Sequence, residues 1–311
     1  MNRTAILQHI DFWAQKLGSY SKVAEKAGIS DTALSQLKSG KYGANESQLL
    51  QKIASALDFK QSSWIIVPEI SNYRKIESSF IGSKKESMWI MISNKAGSGK
   101  TGTLQSLFNR DITGSVFLIQ AEEWSGRQFL LHLIKMTVGE SVLKGAYKPN
   151  TELIQLIADF FNEKQFLNPV LMIDETDKLK PNALGVLVPL FNKTEDRLGL
   201  LACGTENLEK EIKAGVRLAK KRYDEIDSRF GRNFLTLNGI TEEECGLICS
   251  ANGVDDAFTQ SQIWMELEPI KKVVKVKTAK GEKEKQIYFA DDLRRLKRIV
   301  KRELLKIQRV A

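Results

Sequence analysis

Eight residues constrain this chain more than any others: Asn94-Lys95-Ala96-Gly97-Ser98-Gly99-Lys100-Thr101. An apolar run at 88–93 precedes them and a helical pattern follows, so strand, glycine-rich turn and helix succeed one another directly. That order is what a P-loop requires. The backbone N–H groups of such a loop wrap a phosphate, and the helix N-terminus adds partial positive charge. Gly97 and Gly99 allow the close approach, Lys100 reaches the β- and γ-phosphates of a nucleoside triphosphate, and the Thr101 hydroxyl ligates magnesium. The candidate binding segment thus runs from Asn94 to Gly102, and the implied cofactors are ATP and Mg2+. The pattern usually opens on glycine. Here Asn94 stands in that place, and asparagine tolerates left-handed backbone better than most residues.

A second element lies about 70 residues downstream: Val170-Leu171-Met172-Ile173 followed by Asp174-Glu175. An apolar strand that ends in two carboxylates reads as a Walker B element. Asp174 would hold the magnesium shell, and Glu175 would orient and deprotonate the attacking water. The run 198–203 ends in Gly204-Thr205, where a polar side chain on a neighbouring strand can sense the γ-phosphate. Arg229 or Arg232, just before the last strand, would act in trans on the nucleotide of a neighbouring subunit.

The apolar runs 88–93, 115–119, 169–174, 198–203 and 233–237 alternate with helical stretches. Buried strands of a parallel sheet have this form, because helices cover both faces. The reading is an α/β core with a five-stranded parallel sheet over 80–239. Before it, residues 1–62 form a small all-helical domain. In its segment 21–39, Gly28 takes a left-handed turn between two short helices and Ser30 caps the second, the spacing of a helix–turn–helix. Thr32, Ser35, Gln36 and Lys38 lie on the outer side of that second helix, where such side chains reach bases or phosphates. The segment 63–79 reads as a linker or entry strap. Residues 240–311 read as a mainly helical C-terminal lid, with a hairpin at 275–289 turning near Gly281 and a basic amphipathic helix from Asp291 to Val310.

Charge is unevenly spread over the 311 residues. Residues 271–311 hold 15 Lys+Arg against 5 Asp+Glu, while the whole chain nets only +9. A tail this basic points to an anionic partner, and nucleic acid is the commonest. A second cluster, 213–232, contains Lys220, Lys221 and Arg222 as candidate DNA contacts. Residues 1–60 carry 8 Lys+Arg against 5 Asp+Glu, which predicts weak DNA affinity for that domain alone. No apolar run is long enough to span a bilayer, no basic-then-apolar leader opens the chain, and three cysteines do not make a disulfide framework. The expectation is a cytoplasmic protein with no membrane partner. Two histidines leave little scope for a His-based nucleophilic mechanism or a zinc site.

Taken together, Ser21 to Leu57 with Gly40-Lys41-Tyr42, Lys95 to Thr101, Asp174-Glu175 with Asp177 and Leu179, Gly204-Thr205 and Ser228-Arg229 resemble one family. These are the phage Mu B-like transposition target-selection ATPases, of the AAA+ class. The resemblance implies slow ATP hydrolysis stimulated by DNA or a transposase. It also implies ATP-dependent homo-oligomerisation into a helical filament on double-stranded DNA with little sequence preference, and delivery of that DNA to a DDE-type transposase. It points to Arg294 as a second sensor on a lid helix, with Arg295 as its rival. Two other readings stay open on the residues alone: an AAA+ helicase loader, and a non-hydrolysing helix–turn–helix regulator.

Overall fold

A computed structural model describes residues 3–43, 45–57, 59, 64–278 and 281–310. The chain divides into two compact units, Met1–Trp64 and Ile65–Ala311.

The first unit has four helices: α1 (Arg3–Leu17), α2 (Tyr20–Ala27), α3 (Asp31–Lys38) and α4 (Glu46–Ala56). Each short helix starts at a side-chain cap. Ser19 accepts from Lys22 N–H, Ser30 from Ala33 N–H and Asn45 from Gln48 N–H, each satisfying one orphan donor of a first turn. Gly28 ends α2 at φ 62°, the left-handed conformation the turn to α3 needs. Ile6, Ile10, Val23, Leu34, Leu37, Ile53 and Leu57 fill the centre.

The second unit opens with α5 (Ser71–Glu86). It continues through β1 (Trp89–Ser93), α6 (Lys100–Arg110), β2 (Val116–Gln120), α7 (Gly126–Met136), α8 (Asn150–Glu163), β3 (Val170–Asp174), α9 (Pro181–Leu184) and α10 (Leu187–Thr194). Then come β4 (Gly199–Gly204), α11 (Glu206–Arg217), α12 (Tyr223–Arg229) and β5 (Phe234–Leu235). The five strands form one parallel sheet in the order β2-β3-β4-β1-β5. Every residue of β3 and β4 is buried, which is why both read as unbroken apolar runs. This is an α/β, AAA+ P-loop fold. The order places β4 between β3 and β1, so the C-terminal ends of those three strands sit side by side.

The lid follows with α13 (Glu242–Ala251), α14 (Ala257–Glu266), the hairpin strands β6 (Ile270–Thr278) and β7 (Gly281–Phe289), and α15 (Leu293–Val310). Leu296, Ile299 and Val300 bury one face of α15. Among the described residues, no helix is long and apolar enough to cross a membrane.

Three expectations need correction. Much of the stretch read as a linker is helix: α5 starts at Ser71 and buries Asn72, Tyr73 and Ile76. Its mixed sequence hid a helix whose buried side is partly polar. The hairpin begins at Ile270, five residues earlier than its alternation suggested, and Gly281 opens the second strand; residues 279 and 280 lie outside the described residues. The last core strand is two residues long, not five. Side chains take its remaining backbone groups: Lys75 Nζ donates to Thr236 O at 2.6 Å, and Leu237 N–H donates to Asn94 Oδ1 at 3.2 Å.

Candidate nucleotide site

The phosphate loop leaves β1 and feeds α6. Gly97 and Gly99 have φ of 85° and 94°. Asn94 does not share that geometry, against the expectation that it stands in for a left-handed glycine. Its side chain instead accepts from Leu237 N–H, tying the loop to the end of β5. Lys100 is 8 % exposed, and its ammonium donates to Asn94 O at 2.7 Å, Lys95 O at 3.0 Å and Ser98 Oγ at 3.1 Å. Burial lowers its pKa, while the carboxylates of Asp174 and Asp177 oppose that shift. Buried Asn72 holds the loop from behind: its amide donates to Ser98 O at 3.2 Å and its oxygen accepts from Gly239 N–H at 3.3 Å.

Asp174 closes β3 and is 4 % exposed. Burial raises its pKa, and hydrogen bonds from the Thr101 hydroxyl and the Glu175 N–H work against that rise. Thr101, in the first turn of α6, thus meets Asp174 at the end of β3. A hydroxyl and a carboxylate are the hard oxygen donors that Mg2+ prefers, and Mg2+ takes only one or two protein ligands beside phosphate and water. The residues present fit that ion.

Glu175 sits at φ 53° and is restrained on two sides. Lys178 Nζ lies 2.6 Å from its carboxylate and Gln120 Nε2 donates to it at 3.0 Å. The Lys178 hydrogen bond, with help from Gln120, lowers the Glu175 pKa. Glu175 is thus an ionised carboxylate at neutral pH. Thr205 follows β4, but its hydroxyl donates to Asp177 Oδ2 at 2.6 Å, and its N–H donates to Asp177 Oδ1 at 2.9 Å.

The lid closes on the loop. Leu293 N–H donates to Gly97 O at 2.8 Å, and Lys95 pairs with Asp291 at 3.4 Å. A methyl group at Gly97 would collide with the Asp292 carboxylate, and one at Gly99 would lie 2.8 Å from Leu293 Cδ1. Asp292 in turn accepts from the N–H groups of Arg294 and Arg295, capping α15. The two arginines part company at this point. The Arg294 charge acts on Lys100, whereas Arg295 reaches away to Glu268 at 2.8 Å.

The other predicted residues lie elsewhere. Arg229 ends α12, donates to Asn192 Oδ1 at 3.0 Å and lies over the Phe191 ring at 5.0 Å. Phe191 packs edge-on against Trp89, so the core sets the position of this arginine. Its rival Arg232 is taken by Asp224 at 2.8 Å. Lys220, Lys221 and Arg222 are exposed in the α11–α12 loop. On α3, Thr32, Ser35 and Gln36 are exposed, while Lys38 pairs with Asp11 at 2.8 Å and lies over the Tyr20 ring.

Sequence reasoning missed Asn72, Gln120, Asp177 as a partner of Thr205, and Asp292. Gln120 carried a faint signal, being the polar residue that ends an apolar strand run. The other three carried none in isolation.

With this geometry in view, comparison with known proteins is informative for the core. Residues 84–212 match the sequence model of the family described as the AAA domain. The match covers less than half of the chain. The matched segment carries both the phosphate loop and the Asp174-Glu175 pair, and AAA domains in general bind and hydrolyse nucleotide. No curated protein matches the chain. Among solved structures, the chain is similar to Cdc6p from Pyrobaculum aerophilum, with a TM-score of 0.42 and 14 % identity. That alignment covers 58 % of this chain and 48 % of the other, so the chain spans about half the length of that structure. A second likeness is to the Drosophila ORC bound to AT-rich DNA and Cdc6, with a TM-score of 0.35, 12 % identity, and coverage of 75 % and 94 %.

Proposed function

We propose that this chain is an ATP-dependent, largely non-sequence-specific double-stranded DNA-binding ATPase. In this reading it oligomerises on target DNA and delivers it to a DDE-type transposase. The observation that carries the proposal is the grouping of Lys100, Thr101 and Glu175 around Asp174, the residue that closes β3.

Bound Mg2+·ATP would supply an electrophilic γ-phosphoryl group. The chain's own residues account for the rest. The loop from Lys95 to Gly102 wraps the phosphates and Lys100 turns its ammonium toward them, leaving the carbonyls it holds now. Thr101 and Asp174 present the oxygen ligands. Glu175, kept ionised by Lys178, takes a proton from water once Gln120 and Lys178 release it. Thr205 couples this region to Asp177. Arg294 senses the nucleotide from the lid, and Arg229 offers its charge to the site of a neighbouring subunit. A nucleotide held between subunits favours one oligomeric arrangement, and oligomerisation lines up basic surfaces so that many weak phosphate contacts add. Lys220, Lys221 and Arg222 lie within nine residues of Arg229 in sequence and would face DNA in that arrangement. Thr32, Ser35, Gln36 and Lys38 belong to the first unit, a helix–turn–helix. This reading places the protein in the cytoplasm.

The test is duplex binding with and without Mg2+·ATP, accompanied by electron microscopy of the mixture. Nucleotide-dependent binding with filaments supports the reading. Nucleotide-independent binding by a monomer sinks it.

A further inference from the structure

The lid carries a groove that the nucleotide site does not use. Its volume is about 810 Å³, and it lies between α13, α14 and β7. Leu247 and Trp264 line the helical side, and Gln286 and Tyr288 line the strand side. Leu247 and Tyr288 keep 49 % and 54 % of their surface exposed, which is unusual for an aliphatic and an aromatic residue in the wall of one groove.

The strand side is a free sheet edge. β6 and β7 pair without a bulge from Ile270↔Phe289 to Thr278↔Gly281. Just beyond, Ala290 turns both backbone groups away from β6: its N–H donates to Ile240 O, and its O accepts from Ile240 N–H, each at 2.9 Å. Hydrogen-bonding direction alternates along a strand. Gln286 and Tyr288 therefore aim their N–H and C=O to the same side as Ala290. Ile240 makes one bridge there, and the chain then turns away into α13. Among the described residues no strand pairs with the edge beyond that bridge. Such an edge is a template for an added strand.

Charge selects the occupant. Glu242 and Glu243 line the same groove against a single lysine, Lys285, so its lining is net acidic, and none of the three forms an ion pair among the described residues. Their neighbour Glu244 is used in capping, accepting from Thr241 N–H at 2.9 Å. A second copy of β7 is a poor fit. Alternation requires even-numbered residues to face even-numbered ones across this edge. The register that pairs the most residues, all nine of β7, then sets Lys285 against Lys285, and like charges directly opposite are destabilising.

We propose that this groove binds an extended basic peptide segment of a partner protein, added as a third strand to the edge of β7. One apolar side chain of the peptide sits between Leu247 and Tyr288, and a lysine or arginine meets Glu242 and Glu243. This surface is separate from the nucleotide site, and the proposal does not depend on the ATPase reading.

The experiment uses the full-length protein and a fluorescein-labelled synthetic peptide that alternates lysine with valine or leucine, followed by anisotropy. Saturable binding is expected. The same peptide N-methylated at alternate residues cannot complete the ladder and is expected not to bind, and a glutamate-for-lysine version is expected to bind far more weakly. Gln286→Pro removes one outward N–H and keeps the pairing with β6; it should weaken binding about tenfold, or about 1.4 kcal/mol. The surface double variant Glu242→Lys, Glu243→Lys should do the same without touching the hairpin. Absence of binding to the unmodified protein overturns the proposal. So does equal binding of the N-methylated peptide, or of the glutamate version.

Discussion

Leu293 donates its backbone N–H to the carbonyl of Gly97 at 2.8 Å, which bonds the first residue of the last helix to the middle of the phosphate loop. Because Asp292 presses on the same glycine, the loop tolerates no side chain there. Gly97→Ala is expected to force a left-handed non-glycine residue and displace the lid, at a cost of about 1–3 kcal/mol from the backbone alone. A thermal melt of the ligand-free protein should show the lower midpoint, and nucleotide should no longer raise it. An unchanged midpoint would mean that the lid stands clear of the loop in solution.

Lys100 and Glu175 separate binding from turnover. Lys100→Ala removes the ammonium that bonds Asn94 O, Lys95 O and Ser98 Oγ and is expected to abolish the nucleotide-induced rise in melting temperature. Glu175→Gln should keep that rise and lower the hydrolysis rate by roughly 10²–10⁴-fold, the usual worth of a general base. It should also trap the assembled state. Normal hydrolysis by Glu175→Gln would remove Glu175 from the role of base.

The pH profile follows from Lys178. Its hydrogen bond is the main reason the Glu175 pKa lies below the ordinary carboxylate value. A depressed carboxylate stays ionised further into acid, so the base survives as pH falls until its lowered pKa is reached. Lys178→Ala raises that pKa toward the ordinary value, and the acidic limb of the kcat/KM profile, which reports the free enzyme, should move to higher pH. A limb that stays put, or moves the other way, would show that Glu175 is not the titrating group.

How much of this was legible in the sequence follows from how far each contact reaches along the chain. The loop from Lys95 to Thr101 and the pair Asp174-Glu175 are local patterns, each a strand with its polar ending, and both could be read directly. The fold class followed from five apolar runs separated by helices. The strand order did not, and the order is what brings Gln120 of β2 against Glu175 at the end of β3. Asp292 lies almost two hundred residues from Gly97, so its pressure on the loop has no sequence signature. Asn72 was hidden for a different reason. A buried asparagine on a helix looks like a surface residue until its two partners, Ser98 and Gly239, are known.

Arg294 and Arg295 are adjacent, and the sequence alone left either as the lid's sensor. Arg295 is bound to Glu268 on the exposed side, which leaves Arg294 as the candidate. Arg294→Ala is therefore expected to weaken nucleotide binding about tenfold or more, the worth of a charge-assisted hydrogen bond to phosphate. Arg295→Ala should leave it unchanged. Isothermal titration with a non-hydrolysable triphosphate distinguishes them, and equal effects from both would contradict the assignment.

Arg229 tests the coupling between subunits. Among the described residues it meets a neutral amide and an aromatic face and no carboxylate, so its positive charge is left for another partner. Arg229→Ala is expected to preserve nucleotide binding and to lose DNA-stimulated hydrolysis, with a loss of about 10³-fold or more if the arginine acts as a finger in trans. Complementation gives the decisive measurement. A Lys100→Ala subunit has no working site of its own but still presents Arg229, and an Arg229→Ala subunit has the reverse defect. Mixed on duplex DNA with Mg2+·ATP, the two should recover part of the hydrolysis that neither shows alone. If the mixture stays inactive while the unmodified protein turns over under the same conditions, Arg229 does not complete a neighbour's site.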